Sequence, residues 1–294
     1  MTERTPSPAF SIDRSRRDFV ALSVATGLGA AAHPVVAALA VNERDVEIKT
    51  ADGVCDAAFF SPATGTYPGV VVWPDAAGLR PSMRDIGSRL AGEGYAVLVP
   101  NPFYRIGRAP MFESAANIDF SDAATRAKIG PLMASVNAAG AAERDAAAYV
   151  AFLDAQPQVD RARKLGVQGY CMGGALTFRT AAAVPERIGG AASFHGGGLV
   201  TDKPDSPHRL IPKMHARVYV GVAANDDQRQ PDAKDQLREA FAAAKVPAEV
   251  EVYPARHGWC VPDMPKEAGS PLYDAPQAER AWTKLLALYR AVLA

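Results

Sequence analysis

Three residue types that together support nucleophilic chemistry each follow a predicted β-strand: a cysteine, an aspartate and a histidine. Cys171 is the first of them, and it stands between Gly169 and Gly173 in the pattern Gly-x-Cys-x-Gly. A short apolar strand is predicted before it and a helix after it, so the cysteine is expected at a sharp, crowded turn. A thiol attacks as its thiolate, which the N-terminus of a following helix stabilises. The pattern therefore predicts a nucleophile at Cys171.

An acid and a histidine follow later strands. Asp226 comes after the strand predicted over residues 217–223, and His257 comes after the last predicted strand. Asp227 is the alternative acid, and Asp226 is preferred because it lies nearer to the strand. The order nucleophile, acid, histidine is that of the α/β-hydrolase triad, in which the histidine exchanges the nucleophile's proton and the carboxylate orients the imidazole. His195 also closes a strand and is expected in the pocket wall.

The elements that must position these residues alternate between strands and helices. Apolar runs predict buried strands, and Ala-rich or amphipathic segments predict helices. Strands are expected over a hairpin at residues 45–61, over 68–73, 95–100, the run from Lys164 to the cysteine, 188–194, 217–223 and 250–253; helices are expected over 82–91 with Ser82 as N-cap, after Cys171, and over 123–136, 138–155, 232–244 and 277–293.

This alternation predicts one α/β domain, with a mostly parallel, doubly wound sheet flanked by helices. Ligands of such sheets bind beyond the carboxyl ends of the strands. The long irregular stretch from residue 101 to about residue 122 is predicted to be a lid or a binding loop.

The composition is that of an ordinary globular protein. The chain has 294 residues, 48% of them hydrophobic, and a formal net charge of zero. A neutral chain gives no electrostatic reason to expect nucleic acid or an anionic membrane as a partner. The spacing of cysteines and histidines matches no zinc motif, and neither a metal nor a cofactor is expected.

Three cysteines make an odd count, so one thiol stays free even in an oxidising compartment. A disulfide between Cys171 and Cys260 would block the predicted nucleophile. A disulfide between Cys55 and Cys260 would spare it, and the sequence does not choose between the two pairings.

The N-terminus has the features of an export signal. Ser15-Arg-Arg-Asp-Phe19 precedes an apolar run from Val20 to about Ala32, which is similar to a twin-arginine signal peptide. The run is shorter than the roughly 20 residues of a membrane-spanning helix. Ala38-Leu39-Ala40 offers the small-x-small sequence that signal peptidases recognise.

We therefore expect the export machinery to recognise residues 1–40 and signal peptidase to remove them. Residues 41–294 would then work as one domain in the periplasm or outside the cell, with no stable membrane association. The alternative is a disordered basic N-terminus that stays attached.

Several longer motifs contain these residues. They are Gly169-Tyr-Cys-Met-Gly-Gly-Ala-Leu176, the Asp226 loop, Arg256-His-Gly-Trp259, Trp73-Pro-Asp-Ala-Ala-Gly-Leu-Arg-Pro-Ser-Met-Arg-Asp85 and Gly94-Tyr-Ala-Val-Leu-Val-Pro-Asn-Pro-Phe-Tyr104. In this combination the chain resembles the dienelactone hydrolase family, also called carboxymethylenebutenolidases, from about Val46 onward. The resemblance implies an α/β-hydrolase fold, with Cys171 as nucleophile, His257 as base and acid, and Asp226 as the group that orients His257.

The resemblance also implies an oxyanion hole made by the backbone N–H groups of Ala76 and Met172. In the best-known members a glutamate precedes the first of these donors and holds the resting thiol. This chain has the shorter Asp75 there, whose alternative role is to form a turn after Pro74.

Family members also bind a substrate carboxylate with arginines. Cys260 and Val261 stand where one of them is expected, and Arg126 matches the other only loosely. Dienelactone itself is therefore not expected as the substrate, and a less acidic ester or lactone is favoured. The residues expected to bind substrate or to support the site are Asp75, Tyr104, Arg126, His195 and Trp259.

The resulting hypothesis is a hydrolase that opens a small ester or lactone through a thioester on the cysteine. One alternative is a non-catalytic or redox-controlled binding module on the same fold, in which the cysteine is tied up. Another is an acyltransferase, in which an acceptor other than water reaches the thioester.

Overall fold

The computed structural model describes residues 38–119, 122–267 and 269–294. Strands lie at β1 Val41–Thr50, β2 Gly53–Pro62, β3 Gly69–Trp73, β4 Ala96–Pro100, β5 Leu165–Tyr170, β6 Ile188–Phe194, β7 Arg217–Ala223, β8 Ala248–Tyr253, β9 Lys266–Glu267 and β10 Ser270–Pro271. Helices lie at α1 Pro81–Gly92, α2 Ala123–Val136, α3 Ala141–Asp154, α4 Met172–Ala183, α5 Ala224–Arg229, α6 Ala233–Ala244 and α7 Ala275–Val292. Within the described residues, no helix is long and apolar enough to cross a bilayer.

Eight strands form the central sheet, in the order β1-β2-β4-β3-β5-β6-β7-β8. β2 pairs antiparallel with both β1 and β4, whereas every pairing from β4 through β8 is parallel. A mostly parallel sheet with helices on both faces confirms the predicted α/β-hydrolase fold.

The central strands read as continuous apolar runs because helices cover both faces of the sheet. In β3, Val70 and Val72 pack into the cluster that contains the apolar side of α1 and α7. Val71 and Trp73 point to the opposite face and pack with residues of α3 and α4. The two cores enclose the strands, so the carboxyl ends of the strands remain as the accessible edge.

The structure shows where three of the predicted helices begin and which residues precede them. Ser82 is not an N-cap, because α1 begins at Pro81, whose fixed φ and missing N–H suit the first helical position. Helix α3 begins directly after Gly140, whose φ is 71°, and its start is three residues later than predicted. α2 begins after Asp122, whose carboxylate accepts the Thr125 N–H at 2.8 Å.

Two elements near the carboxyl edge were missed by the sequence analysis. α5 follows β7 directly, and the short β9–β10 ribbon follows β8. Both are too short to produce a hydrophobic period, so no pattern predicts them. They supply residues to the cavity described below.

The predicted leader lies outside the described residues as far as residue 37. Its last three residues, Ala38 to Ala40, are exposed and lead directly into β1. The Leu39 N–H donates to the Gly92 carbonyl at 3.0 Å, and the Ala40 carbonyl accepts from the Ala63 N–H at 2.8 Å. The predicted cleavage sequence therefore runs along the surface of the domain.

Candidate active site

Cys171 stands at the turn between β5 and α4. Its backbone has φ 51° and ψ −114°, a conformation that a non-glycine residue adopts only when its surroundings impose it. Its N–H donates to the Phe194 carbonyl at 3.1 Å, and its carbonyl accepts from Gly174 at 3.0 Å and from Gly197 at 3.2 Å. These bonds to the neighbouring strand end and helix hold the turn.

The glycines around Cys171 are required by close approach. A Cβ on Gly169 would lie 2.0 Å from the Gly173 carbonyl oxygen. A Cβ on Gly173 would lie 2.4 Å from the Trp73 carbonyl oxygen and 2.7 Å from that of Pro74. The loop after β3 is thus packed against the first turn of α4.

His257 and Asp226 meet at the ends of β8 and β7. His257 Nδ1 lies 2.6 Å from Asp226 Oδ2, and the two side chains are 24% and 19% exposed. Asn225 accepts the His257 backbone N–H at 2.8 Å and so fixes the loop that carries the imidazole. Asp227, the alternative acid, pairs instead with Lys234 at 2.8 Å. Asp226 is therefore the carboxylate that contacts His257.

The Cys171 side chain also lies close enough to His257 to act on the charge of the imidazole. Burial by itself lowers the pKa of His257, but the hydrogen bond to Asp226 and then the nearby Cys171 side chain raise that pKa to about 10. The imidazole is therefore protonated at neutral pH. The protonated ring lies between the Asp226 carboxylate and the Cys171 sulfur.

His195 is a second histidine in the wall of the same site. It is fully buried, and its Nδ1 accepts the Cys171 N–H at 3.1 Å. Burial, and then the nearby His257 charge, hold the pKa of His195 well below its usual value. Because Nδ1 accepts, the neutral ring carries its proton on Nε2. Trp259 supports this ring from one side, with ring centroids 5.1 Å apart.

Asp75 binds a residue that the sequence analysis had not singled out. Both of its carboxylate oxygens accept from Arg80, at 2.7 and 3.0 Å, and Oδ1 also accepts the Ala77 N–H at 2.9 Å. The carboxylate is thus directed to Arg80 rather than to Cys171, and it shapes the turn as the alternative role required. Arg80 also donates to both oxygens of Asp263, at 2.8 and 2.7 Å.

Two of the expected supporting residues lie away from Cys171, which corrects the sequence analysis. Tyr104 donates to Asp145 at 2.7 Å and lies at 2.7 Å from the Thr50 hydroxyl, beside the β1–β2 hairpin. Arg126 is exposed in the first turn of α2. Neither is among the described residues that line the cavity at Cys171. Tyr104 lies in the irregular stretch after β4, whereas Arg126 already belongs to helix α2.

All three cysteines are free thiols. Cys55 lies 3.2 Å from the Tyr149 hydroxyl on one face of the sheet, whereas Cys260 packs against the core on the other face. A disulfide between them is therefore excluded. Burial raises the pKa of Cys55 to about 12 and that of Cys260 well above its usual value. Among the described histidines, His257 lies beside the sulfur of Cys171.

A cavity of about 320 Å³ opens at Cys171. Besides Cys171, His195 and His257, its walls come from the loop after β3, from the predicted binding loop, from α5 and from the β9–β10 region. The other lining residues are Asp75, Ala76, Ala77, Ala115, Ile118, Asn225, Arg229, Met264, Pro265, Glu267 and Leu272. Part of the irregular stretch between β4 and α2 thus forms a wall of the cavity, as predicted.

Comparison with known proteins places the chain in a family. Residues 55–293 match the family model of the dienelactone hydrolase family. A protein of Methylorubrum extorquens named "Putative carboxymethylenebutenolidase" is 30% identical over 290 residues, which cover 94% of this chain and 92% of that protein.

Solved structures agree with this match. The structure titled m3DLH has a TM-score of 0.71 at 27% identity, over 86% of this chain and 99% of its own. The dienelactone hydrolase-like promiscuous phosphotriesterase P91, from metagenomic libraries, has a TM-score of 0.69 at 25% identity, over 87% of this chain and 100% of its own. The chain therefore belongs to the dienelactone hydrolase family and is a lactone or ester hydrolase.

Proposed function

We propose that this protein hydrolyses its ester or lactone through a covalent thioester on Cys171, with His257 as acid and base and Asp226 as its orienting group. The observation that carries the proposal is the line of contacts from Asp226 through His257 to Cys171, at a strained turn that opens into a cavity. Nucleophile, base and orienting group in mutual contact are what covalent acyl transfer requires.

Acylation would begin from the thiolate. The sulfur attacks the carbonyl carbon, so that a C–S bond forms and the carbonyl oxygen becomes an oxyanion. We expect the backbone N–H groups of Met172 and Ala76 to donate to that oxygen. Collapse of the tetrahedral intermediate breaks the C–O bond, and the His257 imidazolium gives its proton to the leaving alkoxide.

Deacylation reverses these roles. A water molecule gives a proton to the now neutral His257 while its oxygen attacks the thioester carbon. The C–S bond breaks, the acid product leaves, and Cys171 returns to the thiolate beside a protonated imidazole. The raised pKa of His257, supported by Asp226, favours this resting pair.

The test is mass spectrometry of the purified protein during turnover of p-nitrophenyl acetate. We expect a transient acyl group on the peptide that contains Cys171. The variant Cys171→Ala should lose both the adduct and turnover, by about 10³-fold or more. Cys260→Ala is the matched control, because that thiol is not among the described residues that line the cavity at Cys171, and it should keep both. An unmodified Cys171 in a protein that still turns over the ester would refute the mechanism.

We also propose that the protein is exported by the twin-arginine route. Support comes from the paired arginines ahead of an apolar run and from the exposed Ala38–Ala40 sequence before β1. Cell fractionation of the full-length protein and of a variant with Arg16→Lys and Arg17→Lys tests this. We expect the wild type outside the cytoplasm with a shortened N-terminus, and the variant inside at full length. Equal distribution of the two would refute export by this route.

A further inference from the structure

The charges that line the cavity affect which substrates can bind there. Seven of its lining residues are apolar: Ala76, Ala77, Ala115, Ile118, Met264, Pro265 and Leu272. Apart from the two histidines, the only cationic side chain in the described lining is Arg229, and its guanidinium forms an ion pair with Asp226. Asp226 also forms an ion pair with His257. The cavity therefore offers a substrate carboxylate no cation that is not already paired.

A buried group behind the wall adds negative charge. Arg80 has a fully buried side chain and lies between Asp75, which is 5% exposed, and Asp263, which is 19% exposed. Burial lowers the pKa of Arg80, but its bonds with Asp263 and Asp75 raise it above the usual value. Burial by itself raises the pKa of Asp263, but the hydrogen bonds that Asp263 accepts from Arg80 lower that pKa below its usual value.

In this group two carboxylates face one guanidinium. The group carries one formal net negative charge, and because its side chains are at most 19% exposed, salt screens this charge less than a surface charge. Asp75 itself lines the cavity, and Asp263 also accepts the N–H of the wall residue Ala115 at 3.0 Å. The field of this charge thus acts directly on whatever occupies the cavity.

A second carboxylate belongs to the lining, and like Arg229 it already has an ion-pair partner. Glu267 contributes to the wall with a side chain that is 63% exposed, and its carboxylate lies 3.3 Å from Arg256. An exposed ion pair of this kind is weak and is screened by salt. Its effect on an entering anion is smaller than that of the buried group, but it has the same sign.

We propose that the substrate is an ester or lactone whose acyl part is apolar and uncharged, and that the cavity rejects an acyl part that bears a carboxylate. This rests on the proposed function, because the acyl part must lie beside Cys171. It separates this protein from relatives named for carboxymethylenebutenolide, a lactone that carries a carboxylate. Charge selection comes from the buried Asp75–Arg80–Asp263 group, with a smaller part from Glu267.

Two esters of the same chain length test the proposal: p-nitrophenyl butyrate, which is neutral, and mono-p-nitrophenyl succinate, which ends in a carboxylate. We expect kcat/KM for the butyrate ester to exceed that for the succinate ester by about 100-fold, the size of a like-charge penalty in a desolvated site. The ratio should change little with added salt, because the main charge is buried.

Variants show which charges are responsible. Asp263→Asn keeps a hydrogen-bonding side chain but makes the buried group neutral, and it should raise the rate on the succinate ester relative to the butyrate ester. Glu267→Gln should do the same to a smaller extent and only at low salt. Arg229→Gln is the opposing control: a selective loss on the succinate ester would identify Arg229 as a carboxylate anchor and overturn the proposal.

The outcomes separate this inference from the proposed function. Equal kcat/KM for the two esters, both abolished by Cys171→Ala, would leave the thioester mechanism standing and refute charge selection. Hydrolysis of neither ester, or hydrolysis that survives Cys171→Ala, would refute the mechanism and this inference with it.

Discussion

Replacing Asp226 by asparagine removes the charge that faces His257 while nearly preserving the shape of the side chain. His257 has a pKa of about 10, against a usual value of 6.5. Each pKa unit corresponds to about 1.4 kcal/mol, so the native environment favours the imidazolium by roughly 5 kcal/mol. Asp226 and Cys171 share this effect, because both act on the charge of the ring.

In Asp226→Asn the pKa of His257 should fall toward its usual value. At pH 7 the ring would then change from almost fully protonated to about one quarter protonated if the whole effect were lost. An amide can also hold the imidazole in the wrong tautomer, which in a comparable triad lowers kcat by about 10⁴-fold. We therefore expect a loss in kcat of about 10³-fold or more.

The assay is steady-state kinetics from pH 6 to pH 10, with NMR titration of the labelled imidazole as a direct readout of its pKa. Asp227→Asn is the matched control, because it makes the same change one residue later in a carboxylate that pairs with Lys234 at 2.8 Å. That variant should keep kcat within about threefold, because Asp227 pairs with Lys234 rather than with His257 and this ion pair is partly exposed. Equal losses in both variants, or an unchanged His257 titration in Asp226→Asn, would refute the assignment.

The same pKa makes a prediction about stability. A raised pKa in the folded state stabilises the fold fully below pH 6.5, and this contribution is lost as the pH rises through about 10. Urea unfolding at pH 6.5 and pH 9.5 should therefore show a steeper loss of unfolding free energy in the wild type than in Asp226→Asn. Parallel losses would mean that the carboxylate does not set the pKa of His257.

Three further substitutions test the parts that position the site. Gly173→Ala places a Cβ 2.4 Å from the Trp73 carbonyl oxygen, and we expect kcat to fall by about 100-fold as the oxyanion loop is displaced; unchanged kinetics would show that the loop can move freely. Arg80→Met leaves two buried carboxylates without their partner and should lower the unfolding free energy by about 3 kcal/mol or more in urea titrations at pH 7, with a smaller loss at pH 4. His195→Leu removes the acceptor of the Cys171 N–H and should lower kcat about tenfold, the equivalent of one hydrogen bond, whereas His195→Asn should recover part of it; equal losses would assign His195 a packing role alone.

The sequence alone was enough for those features that depend on local conformation. The strand, the glycine-flanked turn at Cys171 and the following helix need only the sizes of adjacent residues, and alternating apolar runs and helices suffice for a parallel sheet. Because the ends of parallel strands share one edge, the order of Cys171, Asp226 and His257 was also enough to predict that they meet.

Only the tertiary structure decided which partner each side chain finds. Asp226 and Asp227 are adjacent and chemically identical, and the direction of α5 alone turns one toward His257 and the other toward Lys234. Tyr104 binds Asp145, and neither Tyr104 nor Arg126 is among the described residues that line the cavity, although Ala115 and Ile118 between them are. Asp75 binds Arg80, which in turn binds Asp263, far along the chain. Such pairings depend on the distances and directions between separate elements, which no local pattern of residues specifies.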